Sequence, residues 1–343
     1  MQKNKQVLVL GASGDIGGEV ARQLREAGWQ VRALKRALGV ERRVKDGIEW
    51  VEGDAMNRAD VMAASAGCSV IVHAVNPPGY RRWAELVLPM IDNSIAAARA
   101  QGATVVLPGT VYNYGPGALE SPTEDSPQRP TTRKGAIRVE LEQHLETACS
   151  SGEMRAIVVR AGDFFGPKAG NSWFTQGMVK PGQPVKTVRL PSSRGVGHQF
   201  AYLPDVARTM VELLARRATL PGFATFHMAG HWDADGTQLG QAVQRVLARH
   251  GQTQPALKPF PWWMVRVAAP FVPTLREMLE MRYLWQCALR MPNQRLLDTL
   301  GQEPYTPWDK AIEATLVGIG CLKAPDSARM VEHDQLAQPK TVG

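Results

Sequence analysis

Short apolar runs alternate with longer amphipathic stretches along the first third of the chain. The run VLVL is followed by DIGGEVARQL, and the same exchange of period recurs several times. Period-two or continuous apolar runs mark strands, and apolar residues three or four apart mark helices. The pattern predicts strands over 6–10, 30–34, 49–52, 69–74, 104–107 and 155–159. Helices fit between them over 15–27, 58–64, 84–100 and 133–149. Gly28, Gly67 and Gly102 follow three of these helices as stops. Strand–helix alternation of this kind argues for βαβ units, and so for an α/β fold around a parallel sheet.

Beyond Gly166 the pattern loosens. Proline and glycine recur, and clean helices are expected over 204–216 and 236–250. Residues 114–130, rich in Pro, Ser and Gly, read as an active-site loop. Trp262, Trp263, Trp285 and Trp308 cluster late, which suggests a smaller lobe with an apolar interior. The 260–286 segment is the most apolar part of the second half, mixing Trp with Arg. Its readings are a lid or pocket wall for an apolar substrate, a helix lying on a lipid surface, or plain packing of the lobe. The expected division is a dinucleotide-binding domain over 1–165, a substrate lobe over 166–325 with 200–230 returning to the first domain, and a polar tail over 326–343.

Length and composition fit this plan: 343 residues, 44% apolar and 21% charged, are those of a globular α/β protein. The net charge of +8 suggests an anionic partner. Basic residues are scattered and no nucleic-acid motif is present, so a phosphorylated cofactor is a better candidate than nucleic acid. Cys68, Cys149, Cys287 and Cys321 lack metal-ligand spacing and read as free thiols of a reducing compartment. The amino terminus runs directly into a strand, and no apolar stretch has transmembrane length, so a cytoplasmic location is expected.

The chemistry begins at VLGASGDIGG, where Gly11, Gly14 and Gly17 lie between the first strand and the first helix. Glycines there permit a tight turn and close backbone approach, and a helix N-terminus offers free N–H groups to a pyrophosphate. The second strand ends in Lys35 and Arg36, where an acid would be expected for a free ribose 2′-hydroxyl. Two cations there favour a 2′-phosphate, unless they are a merely solvated strand end.

With its GxxGxxG spacing and the order of its later motifs, roughly residues 5–320 resemble the short-chain dehydrogenase/reductase superfamily, in its extended or atypical, NAD-dependent epimerase/dehydratase-like branch. The resemblance implies a Rossmann-type doubly wound parallel sheet with a smaller C-terminal substrate lobe. With Lys35 and Arg36 at the end of the second strand, NADP(H) is the expected cofactor, NAD(H) being possible, and family habit allows a homodimer. Cofactor contacts are carried over to Gly11, Ser13, Gly14, Asp15, Ile16, Gly17, Lys35, Arg36 and Lys134. Asp54 and Ala55 in VEGDAMN match the adenine-contacting segment, and His73, Ala74 and Val75 in VVHAVNPP the turn beside the nicotinamide ribose. Asp54 reads equally well as a helix cap.

VVLPGTVYNYGP is similar to the family's catalytic SSxxVYG segment, with Thr110 at the Ser/Thr position and Tyr114 at a structural tyrosine. The family's YxxxK motif should follow, but TTRKGAIRVELE has Lys134 at the tyrosine position and Arg138 at the lysine position. This KxxxR segment is similar to isoflavone-reductase-like and NmrA-like proteins, and in reductases of the first group the lysine takes over as acid/base. Lys134, Arg138 and Glu142 lie one turn apart on one helix face, with Glu142 free to pair with Arg138. Such a row is either a solvated charged stripe or a catalytic one. No metal site is expected.

Three later segments also match the extended branch. RAGDFFGP carries Arg160, Gly166 and Pro167, and HQFAYLPDVA carries Asp205, itself also a natural N-cap. In the third, MPNQRLLDTLGQEPYTPWDKAIEATL, a helix should end at Gly301 before a short strand and a last helix. The leading reading is an NADP(H)-dependent oxidoreductase acting on a carbonyl or conjugated alkene of a small, partly apolar molecule, with Thr110, Lys134 and Arg138 as the catalytic set. The rivals are a non-catalytic NADP(H) sensor of NmrA type and a nucleotide-sugar epimerase or dehydratase.

Overall fold

The computed structural model describes residues 5–77, 82–117 and 121–323; the polar tail expected over 326–343 lies outside them. The chain opens with β1 (Gln6–Leu10), α1 (Asp15–Glu26), β2 (Gln30–Lys35), β3 (Arg42–Lys45), β4 (Ile48–Glu52) and α2 (Arg58–Ala64). It continues through β5 (Val70–His73), α3 (Trp83–Gln101), β6 (Thr104–Gly109), α4 (Arg133–Cys149) and β7 (Arg155–Arg160). These elements build most of an eight-stranded sheet in the order β11-β7-β6-β5-β1-β2-β4-β3, where β11 is Phe223–His227. Every pairing in it is parallel except that of β3 with β4.

The apolar runs of the strands feed both faces of this sheet, because successive side chains point to opposite sides. Val7, Val9, Val70, Val72, Ile157 and Val159 pack with Val20 and Leu24 of α1 and with Val206, Met210 and Leu213 of α5 (Leu203–Ala215). Leu8, Leu10, Ile71, Val105, Leu107 and Val158 pack with Ile91 and Ile95 of α3 and with Leu141 and Leu145 of α4. The sheet is therefore doubly wound. α3 ends at Gly102, whose φ of 59° is the left-handed conformation that glycine adopts without strain.

Two smaller sheets make the remainder. β8 (Asp163–Phe165), β10 (His198–Tyr202) and β12 (His231–Asp233) form one, in the order β12-β10-β8. β9 (Thr187–Leu190) and β13 (Ala256–Pro259) form the other. α6 (Gln238–Arg249) and α10 (Trp308–Gly318) cover a third core of Phe165, Phe174, Phe200, Trp285, Ile312 and Leu316. α7 (Trp262–Ala268), α8 (Pro273–Glu280) and α9 (Gln294–Leu300) complete the chain. Among the described residues no helix is long and apolar enough to cross a membrane.

Three local expectations are corrected. The β3–β4 hairpin was not expected, because all four residues of β3 are exposed and carry no apolar alternation. Its signal is Asp46-Gly47, whose φ values of 53° and 71° are those of a two-residue hairpin turn. Asp205 does not cap α5, which Pro204 starts earlier with Tyr202 at the cap. Instead Asp205 is buried and accepts hydrogen bonds from Thr306 N at 2.6 Å and Thr306 Oγ1 at 2.9 Å. No strand forms between α9 and α10; Glu303 there accepts from Ala229 N and Gly230 N, spending its carboxylate on the main chain after β11.

Candidate active site at the sheet switch point

β1 has β2 on one side and β5 on the other, so the chain reverses direction of winding there and leaves a crevice at the strand ends. The three glycines of the first turn have different duties. A Cβ at Gly11 would stand 2.4 Å from Ala74 O, and one at Gly17 would stand 2.3 Å from Gly11 O. These two glycines let backbone lie on backbone. A Cβ at Gly14 would meet Gly11 O at 3.3 Å and nothing else within reach, so its missing side chain leaves space beside the head of α1. Gly14 is the N-cap and no side chain caps the helix, leaving the first N–H groups for an anion. This cradle suits a pyrophosphate. Ser13 is exposed and Ile16 packs on the core. Asp15 Oδ2 accepts from Asn171 N at 2.9 Å, which ties α1 to the chain leaving the sheet.

Lys35 and Arg36 are exposed at the end of β2, and neither ion-pairs with another described residue. Lys35 Nζ lies 5.7 Å from the centre of the Trp50 ring. Asp54 does not cap α2, whose cap is Asn57; its Oδ1 accepts from Met56 N at 3.0 Å. Ala55 is buried, and its carbonyl accepts from Asn93 Nδ2. His73 is buried with Nδ1 2.8 Å from Ser94 Oγ. Burial, helped by the charge of Arg138, pushes its imidazole down to about 3 and keeps it neutral. Ala74 N donates to Leu10 O, so the 74–75 turn lies directly over the glycine turn.

The head of α4 decides the status of the charged row. Lys134, Arg138 and Glu142 are 3%, 7% and 4% exposed, which excludes a solvated stripe. Thr132 caps the helix through Gly135 N, and a Cβ at Gly135 would stand 2.3 Å from Tyr112 O. The helix head is thus pressed on the Val111–Asn113 turn that follows β6. Lys134 Nζ lies 2.8 Å from Glu277 Oε2 on α8 and 5.9 Å from the Trp83 ring centre. Desolvation lowers the lysine pKa, and Glu277 opposes the shift. Arg138 lies 5.4 Å from the same ring and donates through Nη2 to Asn76 Oδ1 at 3.3 Å. Its buried Nε has no hydrogen-bond partner among the described residues, a donor left over for a ligand at the β5 turn.

Glu142 does not pair with Arg138. The lower end of the row faces the sheet, where Arg160 at the end of β7 meets it with Nη1–Oε1 at 3.0 Å and Nη2–Oε2 at 2.7 Å. Arg160 Nη1 also donates to Thr110 O at 2.7 Å, and its guanidinium lies 5.4 Å from the Tyr114 ring. Asn113 Nδ2 donates to Glu142 Oε1 and Gln128 Nε2 to Oε2. Thr110 Oγ1 in turn donates to Asn113 Oδ1 at 2.6 Å. Asn113, Glu277 and the Glu142–Arg160 pair were not expected as site residues. Glu142 and Arg160 stood in quoted motifs, but nothing local in the sequence points to Asn113 or Glu277.

A glycine-cradled switch point with a hydroxyl at the end of β6 and a buried basic residue at the head of α4 has the layout of a dinucleotide crevice. The family model described as the NAD dependent epimerase/dehydratase family matches residues 7–228, well over half of the chain. The chain belongs to the NAD dependent epimerase/dehydratase family. It is accordingly a Rossmann-type member of a nucleotide-binding family. Within this family it is 29% identical over 182 residues to a 3-diazoavenalumate denitrifying reductase of Streptomyces sp, covering 48% of this chain and 58% of that one. It is 30% identical over 86 residues to the decarboxylating sterol-4-alpha-carboxylate 3-dehydrogenase of Mus musculus, covering 25% and 23%. The matches therefore span less than two thirds of either relative. Among solved structures, MoeE5 in complex with UDP-glucose and NAD superposes with a TM-score of 0.68 at 18% identity, covering 91% of this chain and 98% of that one. UDP-glucose 4-epimerase of Thermotoga maritima gives 0.68 at 16%, covering 91% and 97%. Both share the fold of this family member.

Two predictions follow from the buried groups. Glu142→Gln leaves Arg160 charged and under-partnered in the interior, so unfolding in urea should show a loss of about 3–5 kcal/mol. A loss below about 1 kcal/mol would mean that water reaches the pair. His73 and His227 are both held near 3 by burial, against an ordinary value of 6.5. The unfolded chain therefore takes up protons that the folded chain refuses, so stability is full above about pH 6.5 and falls as the pH drops toward 3. Between pH 7 and pH 5 the two sites together should lose on the order of 3–4 kcal/mol, and His227→Asn should roughly halve that fall. A flat profile over this range would show that both rings are reached by solvent.

Proposed function

We propose that this family member is an NADP(H)-dependent oxidoreductase with a lysine in place of the family's tyrosine, acting on a carbonyl or conjugated alkene. The observation that carries this reading is Lys134, an amine 3% exposed at the head of α4, its pKa lowered by burial. Burial disfavours its charged form, so this amine gives up its proton more readily than a solvated lysine does. When bound, the nicotinamide would supply or accept the hydride.

The roles of the chain's own residues follow. Lys134 gives a proton to the substrate oxygen or takes one from it, and Glu277 holds the ammonium in place and moderates the fall in its pKa. Thr110 orients the same oxygen in its hydroxyl form: the Thr110 proton is committed to Asn113, so its oxygen is ready to accept a hydrogen bond from an alcohol or enol hydroxyl. Arg138 cannot shuttle protons, and its spare Nε positions the ribose side of the cofactor beside the 73–75 turn. Gly11, Ser13, Gly14, Asp15, Ile16 and Gly17 hold the pyrophosphate, with Asp54 and Ala55 toward the adenine. Lys35 and Arg36 meet a 2′-phosphate, the basis for preferring NADP(H) although MoeE5 is described with NAD. The substrate sits between the domain over 1–165 and the lobe over 166–325, under α8. One relative named a reductase and another a sterol dehydrogenase support a partly apolar substrate over a nucleotide sugar.

Lys134→Met keeps the stem and removes the amine, so cofactor affinity should stay near wild type while the chemical step falls by about 10²–10⁴-fold. Undiminished turnover in a carbonyl and enone panel would refute the role. A wild type that binds NADPH yet turns over none of the panel would favour the sensor reading. In the reducing direction activity needs protonated Lys134 and is lost as pH rises through its pKa. Glu277→Gln removes the partner that raises that pKa, so the loss should move to lower pH; an unmoved limb would assign it to another group. NADPH should bind more tightly than NADH, and Arg36→Ala should cost about 1.5–3 kcal/mol of NADPH affinity by fluorescence titration. Equal wild-type affinities would sink the NADP(H) assignment.

A further inference from the structure

We infer that the outward face of α7 and the turn after it docks this protein on an anionic lipid surface. The helix is two-sided. Val265 and Ala269 are buried, and Trp262 donates through Nε1 to Pro191 O at 2.9 Å, so the inward face is already satisfied by the lobe. Trp263, Val267 and Phe271, spaced four apart, are 69%, 68% and 84% exposed, and Met264 and Val272 flank them. This is a stripe of large apolar side chains, where scattered single ones would need no explanation.

Charge selects the occupant. Between Asp235 and Glu277 the chain carries no carboxylate, while Lys258, Arg266 and Arg276 are exposed around the stripe. The two acids that follow are turned inward, Glu277 to Lys134 and Glu280 to Arg133 N at 2.6 Å. A second copy seated on this face about a two-fold axis would set the basic rim against itself without a carboxylate to answer it. An anionic bilayer answers both features: headgroups meet the cations, and Trp and Phe enter the interface. The inference stands without the proposed reaction, since none of these side chains is assigned to it.

The full chain is sedimented with vesicles of phosphatidylcholine alone and of phosphatidylcholine with roughly one-quarter phosphatidylserine. Binding is expected to the second, to weaken with added salt, and to blue-shift tryptophan emission. Trp263→Ser with Phe271→Ser should cut partitioning at least about tenfold, and Arg266→Gln about fivefold, with thermal unfolding unchanged. The proposal is overturned by absent binding, by equal binding to neutral vesicles, or by binding insensitive to the double substitution, as an acidic protein partner would imply. A wild-type dimer that the double substitution dissolves also overturns it, since a second copy would then own the face.

Discussion

The arginine–carboxylate pair between Arg160 and Glu142 is the joint on which the candidate site rests. Two charges are kept out of water at the end of β7, a cost tolerated because every carboxylate oxygen is met by donors from Arg160, Asn113 or Gln128. That pairing links the interior face of α4 to the strand beside β6. It also fixes the main chain at Thr110 through Arg160 Nη1. The hydroxyl and the helix head are thereby held in one frame before any ligand arrives, as preorganised catalysis requires.

From that frame the upper part of α4 acquires its chemistry. Lys134 and Arg138 extend beyond the paired region into the space bounded by Trp83, the β5 turn and α8. Desolvation there acts against the lysine's charge, and a single carboxylate from α8 acts for it. These two opposing effects set how firmly the amine holds its proton, and the proposed role of Lys134 in place of the family's phenol rests on their balance. Arg138 lacks that freedom, since a guanidinium keeps its proton, and its spare donor suits positioning instead.

α8 connects the two halves of the molecule in a further way. Its acids reach inward to Lys134 and Arg133, while the preceding α7 turns its apolar side chains outward. Glu277 and Glu280 thereby tie the head of α4 to a helix from a distant part of the chain.

Much of the architecture was legible in the sequence because it rests on local pattern. Strand and helix periods set the βαβ alternation of the parallel sheet, and the glycine spacing marked the crevice at β1. The helix 133–149 was visible in RKGAIRVELE, with the departure at Lys134. Local pattern also misled where competing signals overlapped: Asp205 and Asp54 both look like caps, and RRVK hides an exposed strand announced by Asp46-Gly47. Which way the charged row of α4 faces was beyond the sequence. Lys, Arg and Glu one turn apart read alike in water and in a core, and burial depends on what packs above them. Tertiary structure supplied Arg160 from 18 positions away for Glu142, and Glu277 from α8 for Lys134. Long-range pairing of charges follows from chain topology, which residue order alone does not display.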